Sequence, residues 1–134
     1  MKLLLDTHIL LWALTDDERL SPKARLLIED EGNDIYYSIV SPWEIELKHL
    51  RHPDQMRLTG EDLDFFGEDA GYLRLPIQIH HISALRNLRR EEGSPKHQDP
   101  FDRMLIAQAA SSSMFLLTHD ERILQYTDPH IISV

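Results

Sequence analysis

Residues 99–120 read DPFDRMLIAQAASSSMFLLTHD. Two aspartates flank Pro100 and Phe101, an almost wholly apolar run follows to Ala110, and an apolar segment, MFLLT, closes at Thr118. Asp99 suits a helix N-cap, Pro100 the first helical position, and Asp102 the third, where an acid complements the helix dipole. Capping explains each aspartate taken singly. It does not explain why the rest of the helix wants burial, or why a strand candidate comes next.

Working outward, the same alternation runs through the chain. KLLL (2–5) reads as a short apolar strand and THILLWAL as a helix that Thr7 can cap. SPKARLLIEDEG has Ser21 as N-cap, Pro22 at the first position and Gly32 at the stop. DIYYSIV (34–40) is β-branched and aromatic and predicts a strand. SPWEIELKHLR predicts a helix from Ser41 to Arg51, with Ser41 and Glu44 spaced for a capping box. EDLDFFGEDAG predicts a helix, YLRLPI a more exposed strand, and HISALRNLRREE an amphipathic helix with Ile82, Leu85 and Leu88 on its apolar side. GSPKHQ is a loop, HDERILQY a short helix and HIISV a last strand. Strands alternating with helices predict an α/β fold, a three-layer α/β/α arrangement around a largely parallel sheet.

The chain has 134 residues, which suits a single domain spanning 1–134. It has no cysteine, so disulfides, thiolate metal sites and cysteine nucleophiles are excluded, and a reducing cytoplasm is the expected setting. Asp6 and His8 interrupt the N-terminal apolar run, which argues for a strand and helix over a signal peptide, and no segment suits a membrane span. The net charge of −9 argues against a simple phosphate-binding surface. It does not argue against a site whose carboxylates hold cations, because bound metal reverses the local field.

The acids fall where such a site would form. Asp6 follows the first strand, Asp120 follows MFLLT, and Glu44 opens the helix after the second strand. Asp99 and Asp102 open a helix that feeds a parallel strand, and such a helix begins at the carboxyl edge of the sheet. Ligands of open α/β sheets bind at that edge. Carboxylates gathered there repel one another unless a cation sits among them. Oxygen-only donors favour Mg²⁺ or Mn²⁺ over Zn²⁺, and such ions serve phosphate chemistry.

Four stretches, LLLDTH, SPWEIELK, HQDPFDRMLIAQA and LLTHD, occur in the order and at the spacing seen in the PIN-domain family. The chain resembles that family over nearly its whole length, and within it most resembles the VapC-type toxins of bacterial toxin–antitoxin pairs. The resemblance implies a PIN-like domain acting as an Mg²⁺- or Mn²⁺-dependent endoribonuclease that hydrolyses RNA by a metal-activated water. It implies Asp6, Glu44, Asp102 and Asp120 as catalytic metal ligands, with Asp99 matching an extra acid of the DPFDR subgroup. It also implies a cognate antitoxin and a homodimer. One departure is HLRHPDQMRL after the WEI helix, where many relatives carry a Lys-Leu-Gly-Lys-like stretch.

Around these acids, Thr7, Thr118 and Arg103 are placed to orient or pair with carboxylates. Lys48, Arg51, Arg57, Arg86, Arg89, Arg90 and Lys96 form basic islands that suit either phosphate contacts or a solvated face. The same residues fit two alternatives. One is a non-catalytic module whose acids bind a structural cation or a basic peptide, and the other a housekeeping RNA-processing nuclease. A dehalogenase-type phosphatase would need an acid where His8 stands, and a phospho-receiver domain would need a lysine within 115–124, where there is none.

Overall fold

The computed structural model describes residues Met1–Val134. Five strands, β1 (Lys2–Leu5), β2 (Asp34–Ser38), β3 (Leu73–Leu75), β4 (Phe115–Thr118) and β5 (Ile131–Ser133), form one sheet in the order β3-β2-β1-β4-β5. Every pairing is parallel, as the apolar strands predict. The helices are α1 (Thr7–Leu14), α2 (Pro22–Glu29), α3 (Val40–Arg51), α4 (Gly60–Asp69), α5 (Ile79–Ala84), α6 (Pro100–Ser111) and α7 (Glu121–Leu124).

After the exposed Lys2, β1 is apolar because both of its faces are covered. Leu3 and Leu5 join Tyr37, Ile9, Leu10, Ala24 and Leu63 in one core, so α1, α2 and α4 cover that face. Leu4 points the other way, into a second core with Leu105, Ile106, Ala109, Leu116 and Ile123 from α6, β4 and α7. This is the three-layer α/β/α architecture. β1 is central, with β2 on one side and β4 on the other. The winding reverses across the β1–β4 pair, and the carboxyl ends of those two strands open a crevice there.

Three predicted elements are differently built. β2 ends at Ser38, two residues early, because Ser38 Oγ accepts the Val40 amide proton at 3.0 Å and turns the chain. α3 therefore begins at Val40, and no capping box forms. The predicted helix 81–92 stops after Ala84 and one 3₁₀ turn, Leu85–Asn87. Its backbone is diverted into pairing with residues 125–127: Glu91 N–H donates to Gln125 O, and Thr127 N–H to Arg89 O. The residue of α5 that is buried is His81, which hydrogen-bonds Ser112 Oγ at 2.8 Å, while Ile82 is exposed.

Candidate functional site

At the β1–β4 crevice lies a cavity of about 250 Å³ with no hydrophobic residue in its lining. Asp6, Glu44, Asp99, Asp102 and Asp120, the five acids marked in the sequence, all line it. Asp6 and Asp120 arrive on the ends of β1 and β4, whose register pairs Leu5 with Leu117. Glu44 comes from the first turns of α3, and Asp99 and Asp102 from the start of α6.

Capping and cavity lining turn out to be compatible, because a carboxylate has two oxygens. Oδ1 of Asp6 accepts from the amides of His8 and Ile9, at 2.9 and 3.2 Å, and so caps α1 in place of Thr7. Asp99 Oδ1 caps α6 through the amides of Phe101 and Asp102, and Asp120 Oδ1 caps α7 through Arg122 N–H. Each cap uses one oxygen and fixes the carboxylate at the carboxyl edge. Asp102 and Glu44 serve no cap.

Thr118 ties two of these acids together. Its hydroxyl donates to Asp6 Oδ2, and its Oγ1 accepts the Asp120 amide proton at 3.0 Å. Thr7 bonds Ser41 Oγ at 2.9 Å, touching no carboxylate but bracing α1 against α3. That use of Ser41 replaces the capping box and frees Glu44. Glu44 Oε2 lies 3.4 Å from Lys48 Nζ, while its Oε1 is buried with no hydrogen-bond partner. Arg103 turns away from the acids, donating to Tyr126 OH at 3.1 Å and to Leu85 O at 3.5 Å. At the cavity wall, Arg122 pairs with Asp120 at 3.5 Å.

Asp102 carries an electrostatic penalty from burial and from its acidic neighbours. Burial pushes its carboxyl up to about 7, and Asp99, Asp120, Glu44 and Asp6 push in the same direction. Asp6 is also raised, by burial, against the lowering effect of the Thr118 and amide hydrogen bonds. No three acidic or histidine side chains converge closely enough to enclose an ion by themselves. The acids ring the cavity.

His97 is the site residue that sequence reading missed. It is buried, its Nε2 lies 3.1 Å from Asp102 Oδ2, and its Nδ1 lies 3.0 Å from Tyr126 OH. Burial, and next the Arg122 guanidinium, lower its pKa. A guanidinium only donates, so with Asp102 ionised the chain of protons runs one way. Arg103 donates to Tyr126, Tyr126 to His97 Nδ1, and His97 Nε2–H to Asp102. The available signal was a histidine five residues before a candidate ligand, within the loop GSPKHQ.

The PIN domain family model matches residues 3–129, and the chain belongs to that family. Among solved structures, the chain is similar to a crystal structure of VapBC2 from Rickettsia felis bound to a DNA fragment from their promoter. The TM-score is 0.69 at 18% identity, over 100% of this chain and 98% of that one. Comparison with curated proteins gives no match.

Proposed function

We propose that this chain is a divalent-metal-dependent endoribonuclease, the toxin of a type II toxin–antitoxin pair, with its 134 residues forming one domain. The observation that carries the reading is the group of five acids, Asp6, Glu44, Asp99, Asp102 and Asp120, that rings one cavity, with the carboxyl of Asp102 raised among them. Such a group is electrostatically unsatisfied at neutral pH, and a cation relieves it. The residues fit a hard cation: the donors are carboxylate oxygens, and Glu44 Oε1 is buried without a partner. Asp6, Glu44, Asp102 and Asp120 would hold the ion, with Asp99 directly or through water. Mg²⁺ keeps several waters, which suits acids that ring a cavity.

When bound, the ion supplies positive charge to a phosphodiester and lowers the pKa of an attacking water. The chain's own residues set the geometry. Thr118 fixes the spacing of Asp6 and Asp120, and His97 fixes Asp102. Lys48 and Arg122, which pair with Glu44 and Asp120 at the cavity wall, are placed to meet substrate phosphate once those acids turn to a cation.

The toxin assignment rests on the PIN family and on the likeness of fold to VapBC2. A net charge of −9 would attract a basic antitoxin segment. A homodimer is part of the same reading, and Leu50 on α3 and Phe65 on α4, both more than 60% exposed, are its candidate contacts. The lack of cysteine suits the cytoplasm, and no helix is long and apolar enough to cross a membrane.

The deciding experiment is RNA cleavage by the purified protein with Mg²⁺ or Mn²⁺ and with EDTA. Cleavage that needs the metal, leaves 5′-phosphate and 3′-hydroxyl ends and vanishes in Asp6→Asn supports the reading. Products ending in 2′,3′-cyclic phosphate refute a water nucleophile.

A further inference from the structure

No hydrophobic or large aromatic residue lines the acidic cavity, so it offers a nucleobase nothing to stack on. A second cavity, of about 700 Å³, adjoins it, and half of its lining residues are hydrophobic. The two share a wall. Trp43 precedes Glu44, Phe101 lies between Asp99 and Asp102, and His97 lines the larger cavity while bonding Asp102 in the smaller.

Two features mark the larger cavity. The first is an aromatic corner: Trp43 is 56% exposed and meets Phe101 edge-on, with ring centroids 4.9 Å apart. The second is charge. Arg90, Lys96 and Arg103 line it, no carboxylate does, and none of the three cations forms an ion pair. Arg90 Nε is buried without any hydrogen-bond partner. Neutral groups hold two of the cations: Arg90 lies over the Tyr126 ring and bonds Gln125, and Arg103 bonds Tyr126. In a chain of net charge −9, a cavity with three cations, no acid and an exposed indole suits an anionic, ring-bearing ligand.

We propose that this cavity is the subsite for the nucleotide next to the scissile phosphate, its base stacked on Trp43 and Phe101 and its phosphate met by Lys96 and Arg103. The inference rests on the nuclease reading of the acidic cavity, since a polymer whose phosphate sits there must continue into the adjoining groove. It specifies the substrate as single-stranded RNA, because a base can enter an aromatic corner only when unstacked from its neighbours. An acidic peptide has charges for the cations, but no backbone phosphate to link the two cavities.

The test is binding in EDTA, where no cleavage occurs, to a Trp12→Phe protein in which Trp43 is the sole tryptophan. The probes are an eight-nucleotide oligoadenylate and an abasic ribose-phosphate octamer of the same charge. The expected result is quenching of Trp43 by oligoadenylate and an affinity at least about tenfold above that of the abasic octamer, a preference removed by Phe101→Ala. Equal affinity for the two probes, or binding without quenching, overturns the subsite. Quenching of Trp43 by an acidic peptide of the same charge, and by neither oligonucleotide, assigns the cavity to a protein partner and also overturns it. Metal-dependent RNA cleavage by the wild-type chain is scored separately. If cleavage is present and base-dependent quenching absent, the subsite fails alone; if quenching is present and cleavage absent, the nuclease reading fails.

Discussion

His97 Nε2 lies 3.1 Å from Asp102 Oδ2; the His97 side chain is buried, and that of Asp102 opens only to the acidic cavity. A buried carboxylate pressed by four other acids is held by one neutral donor, which is itself fixed by Tyr126. His97 is thus a positioning residue. His97→Ala should lower affinity for Mn²⁺ about 10- to 100-fold and lower cleavage with it, the usual cost of losing a partner of a metal ligand. His97→Gln keeps a donor and should restore much of the affinity. Calorimetric titration of Mn²⁺ reads both, and unchanged affinity in His97→Ala refutes the role.

The same carboxyl sets a pH dependence for the metal-free protein. Its folded-state value of about 7 lies above the ordinary 3.8, so the unfolded chain releases this proton first. The penalty is absent below about pH 4, grows as pH rises, and is complete above about 7. A full shift of this size corresponds to about 4 kcal/mol, and solvent at the cavity mouth reduces it. Asp102→Asn should therefore stabilise the metal-free protein at pH 7.5 by roughly 1–2 kcal/mol and leave it little changed at pH 4.5. Thermal melts in EDTA at the two pH values check the sign. Added Mg²⁺ should raise the melting temperature of the wild type more than that of the variant.

Much of this site was legible in sequence because strand ends are legible. Asp6 and Asp120 follow short apolar runs that read as buried strands, and the alternation with helices makes those strands parallel and puts both acids at one edge. What was illegible depended on single side chains. Ser38 turns the chain two residues early, and that alone changes Ser41 from a cap into a brace for Thr7 and frees Glu44. The helix expected over 81–92 had the right period, but its register was set by His81 and by pairing with residues 125–127, which no local pattern records. His97 sat in a segment read only as a loop.

Gly67 offers a test of the fold itself. Alanine normally stabilises a helix interior by about 1 kcal/mol over glycine. Here a Cβ on Gly67 would lie 2.8 Å from Cε1 of Tyr37, whose ring is wholly buried and whose hydroxyl donates to Asp64 Oδ1 at 2.7 Å. The ring cannot retreat without breaking that bond. Gly67→Ala should therefore destabilise by roughly 1–3 kcal/mol, reversing the usual sign. Urea denaturation at fixed pH measures it, and a gain in stability would mean that α4 does not pack on β2 as described.

The two aspartates of DPFDR separate capping from chemistry. Asp99 Oδ1 accepts two α6 amides, and asparagine caps about as well as aspartate, so Asp99→Asn should leave the melting temperature nearly unchanged. Asp102 caps nothing. Its replacement by Asn should raise stability in EDTA, for the reason given above, and abolish metal-dependent cleavage. If Asp99 also faces the cation, its Asn variant keeps the helix but loses a charge, and activity falls by about tenfold or more while the fold is intact. If Asp99 is a cap alone, the variant is fully active. Melting curves and cleavage rates for the two variants, side by side, distinguish these outcomes. Full activity in both would show that the acids at the mouth of α6 serve the helix only, and would remove Asp102 from the metal site.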